Sequence, residues 1–594
     1  MNPVLTALVL MVMMVGSGSF GQTAGSLRLI TVDSTRDTVD SSPGDGICRD
    51  EAGRCTLRAA VMEAGALDIP VVVELPAGVY TLTRTGSGDE GGDLDLRAQI
   101  TLRGAGQETT ILDGNGIDRV LEVHGDRNVV LENLSVRGGS TDNLGGGILN
   151  RLGVLTLTNV TLSGNEARTG GGIFNGNTAV LINVTLSKNN AAEYCGGICN
   201  TGTLALINAA LHGNRAGGIG GGIINYGTLT LSDAALHGNH AGRYGGGISN
   251  GGTLLLSKTV LNANYTDDSG GGIMNYGTLT LSDATLHGNR TGIYGGGIFN
   301  GGTLSLFKTV LDGNHAGDEG GGIFNYGTLT LSDAVLSNNR AEQGRGGGIH
   351  NQQPGTLTLR GATLSGNSAR GPGGGIFSSG PLTLFRVTLT NNSADFGGGI
   401  ANANVAVLSS TTLSNNRAQK RGGGIDNIGT LILVNATLSG NKADGGGGIW
   451  SSGVLRLVFS TLTGNSAAYG GGVGIAGDTA EFRGVILSGN TASVGPECVG
   501  RPNSRGYNLI KSSAGCIFTP QTTDLLGQDA GLAPLADNGG SVATHLPGPG
   551  SPALDRVPAE HCTDPDNVLK VDKDARNVNR PQGKGCDIGA VERE

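Results

Sequence analysis

Asn225-Tyr-Gly-Thr-Leu-Thr-Leu-Ser-Asp-Ala234 decides how this chain folds, because the same ten residues return at Asn275 and again at Asn325. Near-copies stand between them, NGGTLLLSKT from Asn250 and NGGTLSLFKT from Asn300, so a fifty-residue duplication contains a structural period of half that length. Outward from this stretch the period persists. The Ile of a Gly-Gly-Ile element recurs from Ile148 to Ile449, with Val473 closing the series, in steps of 24 to 27. Self-similarity at such a period is the signature of a solenoid.

A Leu that opens a Leu-x-x-Asn turn recurs from Leu162 to Leu487 and sets the register within each unit. Seven and five residues before it the chain is always apolar, as in Leu229 and Leu231, Leu279 and Leu281, Leu329 and Leu331. That period of two makes each unit at least one strand with one buried face, and Thr and Ser fall on the other face. The Gly density would cost a helix about 1 kcal/mol per Gly, and no unit carries a long helical pattern. The expectation is all-β: a right-handed, single-stranded parallel β-helix, a pectin lyase-like solenoid with 25-residue coils stacked ~4.8 Å apart. The Asn three residues after each marker Leu, including Asn214, Asn239, Asn264, Asn289, Asn314 and Asn339, reads as a structural ladder of stacked amides at the corners.

Composition excludes several classes. Of 594 residues 109 are Gly, 4% are aromatic and 15% are charged, which no ordinary globular core requires. The Gly lacks a three-residue period, so the chain is not collagen, and the spaced Leu argues against disorder. A net charge of −9 with no basic block gives no support to nucleic acid as a partner. The Gly triplets lack the Lys-Ser/Thr of a phosphate loop and the Asp of calcium-binding β-rolls, so they read as tight corners.

Residues 1–24 read as a signal peptide, with Val4 to Val15 as its apolar run. No stretch is long enough for a transmembrane helix. Eight cysteines suit an oxidising compartment and suggest local pairs: Cys48 with Cys55, Cys195 with Cys199, Cys498 with Cys516, Cys562 with Cys586. Residues 25–70 form an N-terminal cap with a short helix, since Leu57, Ala60, Val61 and Ala64 share one helical face. Irregular first coils follow at 71–144, regular repeats at 145–495, and a disulfide-containing region at 496–594.

Gly44-Asp-Gly-Ile-Cys48 and Cys55-Thr-Leu-Arg-Ala-Ala-Val-Met-Glu-Ala64 resemble the module named for its Cys-Ser-Leu-Arg-Glu-Ala motif, which begins exported bacterial β-helix proteins; Thr56 and Ala59 depart from it. The coils are similar to those of polymorphic outer-membrane proteins and autotransporter adhesins. Pro534 to Gly540, His545 to Pro547, Gly550 to Asp555 and Arg580 to Glu592 resemble the C-terminal choice-of-anchor Q module. In that family an anchoring segment often follows; the sequence ends at Glu594, and how the chain is attached stays open. These resemblances imply an exported bacterial protein, extracellular or on the cell surface.

Binding is expected where the repeats differ. The variable segment between corner Asn and Gly triplet carries Tyr194, Tyr244, Tyr265, Tyr294, Phe396 and Tyr469, with the adjacent acidic pair Asp267-Asp268, matched at that position only by Asp318-Glu319 two coils away. Flat aromatics beside polar groups suit a polysaccharide or a cell-surface protein. The expected protein is a monomeric adhesive scaffold without catalytic residues, metal or cofactor; Ca²⁺ has no ligand set behind it. The alternative is a polysaccharide lyase or glycoside hydrolase working on the side of the helix, for which paired acids are not evident.

Overall fold

The computed structural model describes residues 27–67, 69–477, 479–562 and 571–593, so the signal peptide at 1–24 lies outside the described residues. The chain forms two compact units, unit 1 ending at Thr291 and unit 2 running from Gly292 to Glu594. Each is a stack of parallel coils. No helix among the described residues is long and apolar enough to cross a membrane.

One coil of unit 1 shows the construction. Strand Ile223–Asn225 turns at Tyr226-Gly227 into Thr228–Ser232, kinks at Asp233, continues as Ala235–His237, turns at Gly238-Asn239 and closes with His240–Ala241. The next coil repeats this in parallel register, Ile223 beside Ile248, Leu229 beside Leu254, Leu236 beside Leu261 and His240 beside Tyr265. Ile223, Leu229, Leu231 and Leu236 point inward and are at most 1% exposed. Each such side chain contributes about 1.5–3 kcal/mol by burial, so the core is a set of aliphatic columns rather than one cluster.

The corners divide two jobs between adjacent residues. The left-handed residue is the one before each corner Asn, as at Gly238 (φ 60°), Ala263 (φ 52°) and Gly288 (φ 60°) in unit 1. The Asn itself is buried and its amide makes the ladder. Asn214 donates from its backbone N and from Nδ2 to Asn239 Oδ1, at 3.1 and 3.0 Å, while Nδ2 also reaches Leu186 O at 3.0 Å. In unit 2 Asn314 does the same to Asn339. A second ladder runs through the three-residue strands, as from Asn200 Nδ2 to Asn225 Oδ1 at 2.7 Å.

The kink column explains part of the fifty-residue duplication. Asp233, Lys258 and Asp283 occupy it in successive coils of unit 1, and Lys308 and Asp333 in unit 2, all with φ between 46° and 53°. Like charges directly opposite on neighbouring strands repel. Alternation every coil avoids this, and a two-coil sequence period results.

The first coils of unit 1 are capped. Helix α1, Leu57–Leu67, packs on the strands Val71–Leu75 and Leu94–Leu96. Thr56 Oγ1 caps it by accepting from Ala59 N at 3.2 Å. Arg58, 1% exposed, donates to Asp37 Oδ1 at 2.6 Å and to the carbonyls of Gly92 and Asp93 at 2.8 and 3.1 Å. In unit 2 the last segment folds back along the outside of the coils: His545 Nε2 lies 2.9 Å from Ser439 Oγ, Asn435 Nδ2 donates to Lys573 O at 2.7 Å, and Ala590 N to Thr461 Oγ1 at 3.0 Å. All four local cysteine pairs are disulfides.

Candidate functional site: a trough along the three-residue strands

In Gly-Gly-Ile-x-Asn the Ile and Asn point inward, so strand alternation sends x outward. Stacked coils line these residues up. In unit 1 the column reads Leu149, Phe174, Cys199, Ile224, Ser249 and Met274. In unit 2 it reads Phe299, Phe324, His350, Phe377, Ala401, Asp426, Trp450 and Gly474. This column is the floor of a trough that is largely filled, since Leu149, Cys199, Ile224 and Met274 are at most 5% exposed and His350 is fully buried.

One wall is the variable loop. Its base residue leans over the floor: a Cβ on Gly245 would lie 2.9 Å from Ser249 Cβ. At the same place in an earlier coil the contact is covalent, Cys195 to Cys199. Along this wall Tyr194, Ile219, Tyr244 and Ser269 stand in register in unit 1, and Phe396, Arg421, Gly445 and Tyr469 in unit 2.

The eight residues expected to bind are therefore not one stripe. Tyr194 and Tyr244 share a wall column two coils apart, with Tyr194 43% exposed. Tyr265 belongs to a different column, where it stacks on His240 at 4.0 Å. Asp267 Oδ1 is 3.9 Å from His240 Nε2, and Asp268 accepts the Ser269 hydroxyl at 2.8 Å. Tyr294 packs on Phe324 with centroids 4.8 Å apart. Phe396 carries Lys420 Nζ and Arg421 Cζ over its ring at 4.7 and 5.2 Å, so its face is already used by cations. Tyr469 is exposed.

The floor of unit 2 escapes a sequence reading that follows the repeat. Phe299, Phe324, His350 and Phe377 form an aromatic ladder with centroids 5.2, 4.9 and 4.9 Å apart. His350 is fully buried, its Nδ1 3.1 Å from Glu319 Oε2 and its Nε2 3.1 Å from Gln352 Oε1. Further on, Arg421 Nε lies 3.2 Å from Asp426 Oδ1 without hydrogen-bond alignment. Writing out the x position coil by coil would have exposed this column.

Burial raises the Asp426 carboxyl to about 6 from its ordinary 3.8, with Arg421 opposing. A raised acid pKa adds stability at low pH that is lost as pH rises through about 6. At 1.36 kcal/mol per pH unit this amounts to about 3 kcal/mol. Urea melts from pH 4 to 7 should show the wild type falling by that amount relative to Asp426→Asn. A constant difference across that range would mean Asp426 titrates normally.

One group among the described residues has metal-ligand composition, Asp95, Glu122 and His124 in the first coils of unit 1, with donor atoms within 4.8 Å of one another. Its carboxylates are already engaged: Asp95 with Arg97 at 3.0 Å and His124 at 2.5 Å, Glu122 with Arg119 at 2.8 Å and Arg151 at 3.6 Å. Three guanidinium groups around the ligand set make it an ion network.

No family model matches the chain, and no curated protein does. Among solved structures it is similar to the catalytic unit of a thermostable GH87 α-1,3-glucanase from Streptomyces thermodiastaticus strain HF3-3, at 13% identity and TM-score 0.26 over 72% of this chain; it spans 66% of that catalytic unit, just under two thirds. A PL6 alginate lyase solved with a trisaccharide gives 12% identity and TM-score 0.27 over 70% of this chain and 86% of the lyase. The A-module of the Azotobacter vinelandii mannuronan C-5 epimerase AlgE6 gives 13% and 0.21 over 83% of this chain and all of that module. Likeness at this level carries no argument about activity.

Proposed function

We propose that the protein is an exported, cell-surface or extracellular scaffold that binds polysaccharide along the trough of its coils. The observation that carries this is the wall of unit 1, where Tyr194 and Tyr244 recur two coils apart beside a floor of Cys199, Ile224, Ser249 and Met274. Aromatic rings at fixed spacing beside the exposed Asp267 suit sugar rings, which present an apolar face and polar edges, although Arg243 lies over one face of Tyr244 at 5.0 Å as cations do over Phe396. Four disulfides fit export to an oxidising compartment. In this reading α1 and its Cys48–Cys55 loop act as the Cys-Ser-Leu-Arg-Glu-Ala-like cap. The last segment, which folds back along the coils of unit 2, acts as the choice-of-anchor Q-like module.

Affinity electrophoresis in gels cast with a panel of soluble polysaccharides tests the proposal. Retardation by at least one polysaccharide is expected, and Tyr194→Ala with Tyr244→Ala together should weaken it about tenfold, the scale of two stacking contacts. Unchanged retardation in the double variant would remove the wall from the site. Release of reducing ends or unsaturated products by the wild type would replace the scaffold reading with the enzymatic one.

A further inference from the structure

The fifty-residue duplication places a second set of tyrosines that the wall does not use. Tyr226 and Tyr276 sit at the same turn of unit 1, directly after Asn225 and Asn275, and Gly251 takes that place in the coil between. They are the most exposed tyrosines described, at 63% and 62%. Charge alternation at Asp233, Lys258 and Asp283 accounts for a two-coil period at the kink. It does not account for large exposed rings on another turn, which add little to folding.

Their place follows from the strand. Each Tyr opens the turn directly after the three-residue strand, two residues beyond the floor position, Tyr226 after Ile224 and Tyr276 after Met274, so this turn borders the floor. The turn tip is therefore the second wall, facing Tyr194, Ile219, Tyr244 and Ser269. Partial burial of the hydroxyl raises the Tyr276 pKa, and Tyr244 and Asp268 act in the same direction, which brings these loop groups close to it. Gly251 shows how the Tyr226 ring lies: a Cβ there would stand 3.1 Å from Tyr226 Cδ1 and 3.4 Å from Cε1, so the ring extends along the stack over the glycine.

Two coils separate equivalent rings by ~10 Å. An extended glycan with two-fold symmetry turns the same sugar face toward a surface once per disaccharide, a step close to that distance. A coiled α-linked chain does not keep its sugars on one line. Resting on the polysaccharide reading above, we infer that Tyr226 and Tyr276 are stacking platforms one disaccharide apart, and that the trough of unit 1 selects an extended β-1,4-linked polysaccharide over a coiled α-1,4-linked one.

Calorimetric titration with cellohexaose, β-1,4-mannohexaose and the α-1,4-linked maltohexaose, using the full chain, tests this. At least one β-1,4 hexasaccharide should bind about tenfold tighter than maltohexaose, and Tyr226→Ala or Tyr276→Ala should each remove most of that preference. The paired change Tyr276→Gly with Gly251→Tyr keeps the number of rings and moves the second to the adjacent coil. Gly251 does not need a left-handed backbone, and the close neighbour of a Cβ there is the Tyr226 ring at 3.1 Å, which has to shift by a few tenths of an ångström to admit it. This variant should melt like the wild type and also lose the preference. Equal affinity for all three sugars, or a preference that survives Tyr226→Ala and the paired change, overturns the inference while retardation by any polysaccharide leaves the broader reading in place. A wild type that no polysaccharide retards overturns both.

Discussion

Replacing Arg580 by Met should release the C-terminal segment from the side of unit 2 and cost about 3–5 kcal/mol, the range for breaking a buried ion pair from one side. Arg580 is enclosed on every side. Its Nη1 donates to Glu592 Oε2 at 3.1 Å and to Asp587 O at 2.9 Å, its Nη2 to Gly589 O at 2.7 Å and Asn435 Oδ1 at 3.3 Å, and its guanidinium lies 4.7 Å above the Phe459 ring. Methionine fills similar volume but leaves Glu592, itself 1% exposed, as a buried charge without its partner. Burial already raises the Glu592 pKa and Arg580 lowers it, so losing the arginine favours the protonated acid. Hydrogen exchange should then accelerate at 571–593 while the strands from Ile298 to Ile376 stay protected. Adding Glu592→Gln should recover part of the loss, because the residual cost is an unpaired charge. If Arg580→Met exchanges at the wild-type rate, the segment is held by its apolar contacts and the ion pair is incidental.

Asn239→Leu is expected to be as damaging, about 3–5 kcal/mol, although it adds apolar surface to a buried site. The side chain serves both neighbours. Its Oδ1 accepts from Asn214 N and Nδ2 at 3.1 and 3.0 Å, and its Nδ2 donates to Leu211 O and to Asn264 Oδ1, both at 2.9 Å. Removing it strands donors of one coil and acceptors of two, each costing about 1–3 kcal/mol when buried without water. The control is Asn208→Gly. Asn208 also donates to an Asn one coil away, Asn183 Oδ1 at 2.8 Å, but on the exposed face, and its φ of 50° suits glycine. It should change stability by no more than about 0.5 kcal/mol. Comparable destabilisation of both variants in urea would mean that ladder position, not burial, sets the value of these amides.

The same contrast separates what could be read along the chain from what could not. Leu229, Leu231 and Leu236 were legible as core because the rule that places them, two-residue alternation repeated every 25 residues, lies within one coil and recurs in the next. The corner Asn was legible for its periodicity, yet the left-handed conformation belongs to its predecessor, where Gly238, Ala263 and Gly288 share a backbone state but not a side chain. The binding tyrosines were grouped by loop. Tyr265 nevertheless stands in the column of His240 and Arg290, directly after its corner Asn and four residues before Ser269, which is the register partner of Tyr244.

By itself the sequence determined a parallel solenoid and its core columns. A coil buries its apolar residues against copies of itself, so the information needed is local and repeated. Only the tertiary structure decided which outward residues meet. The floor of unit 2 changes identity in every coil, from Phe377 to Ala401, Asp426 and Trp450, and becomes a surface only once the coils are stacked. The clasp joins Arg580 to Asn435 across 145 residues. Contacts at that separation carry no periodic trace in the chain, since they are set by where the last segment lands on an already folded side.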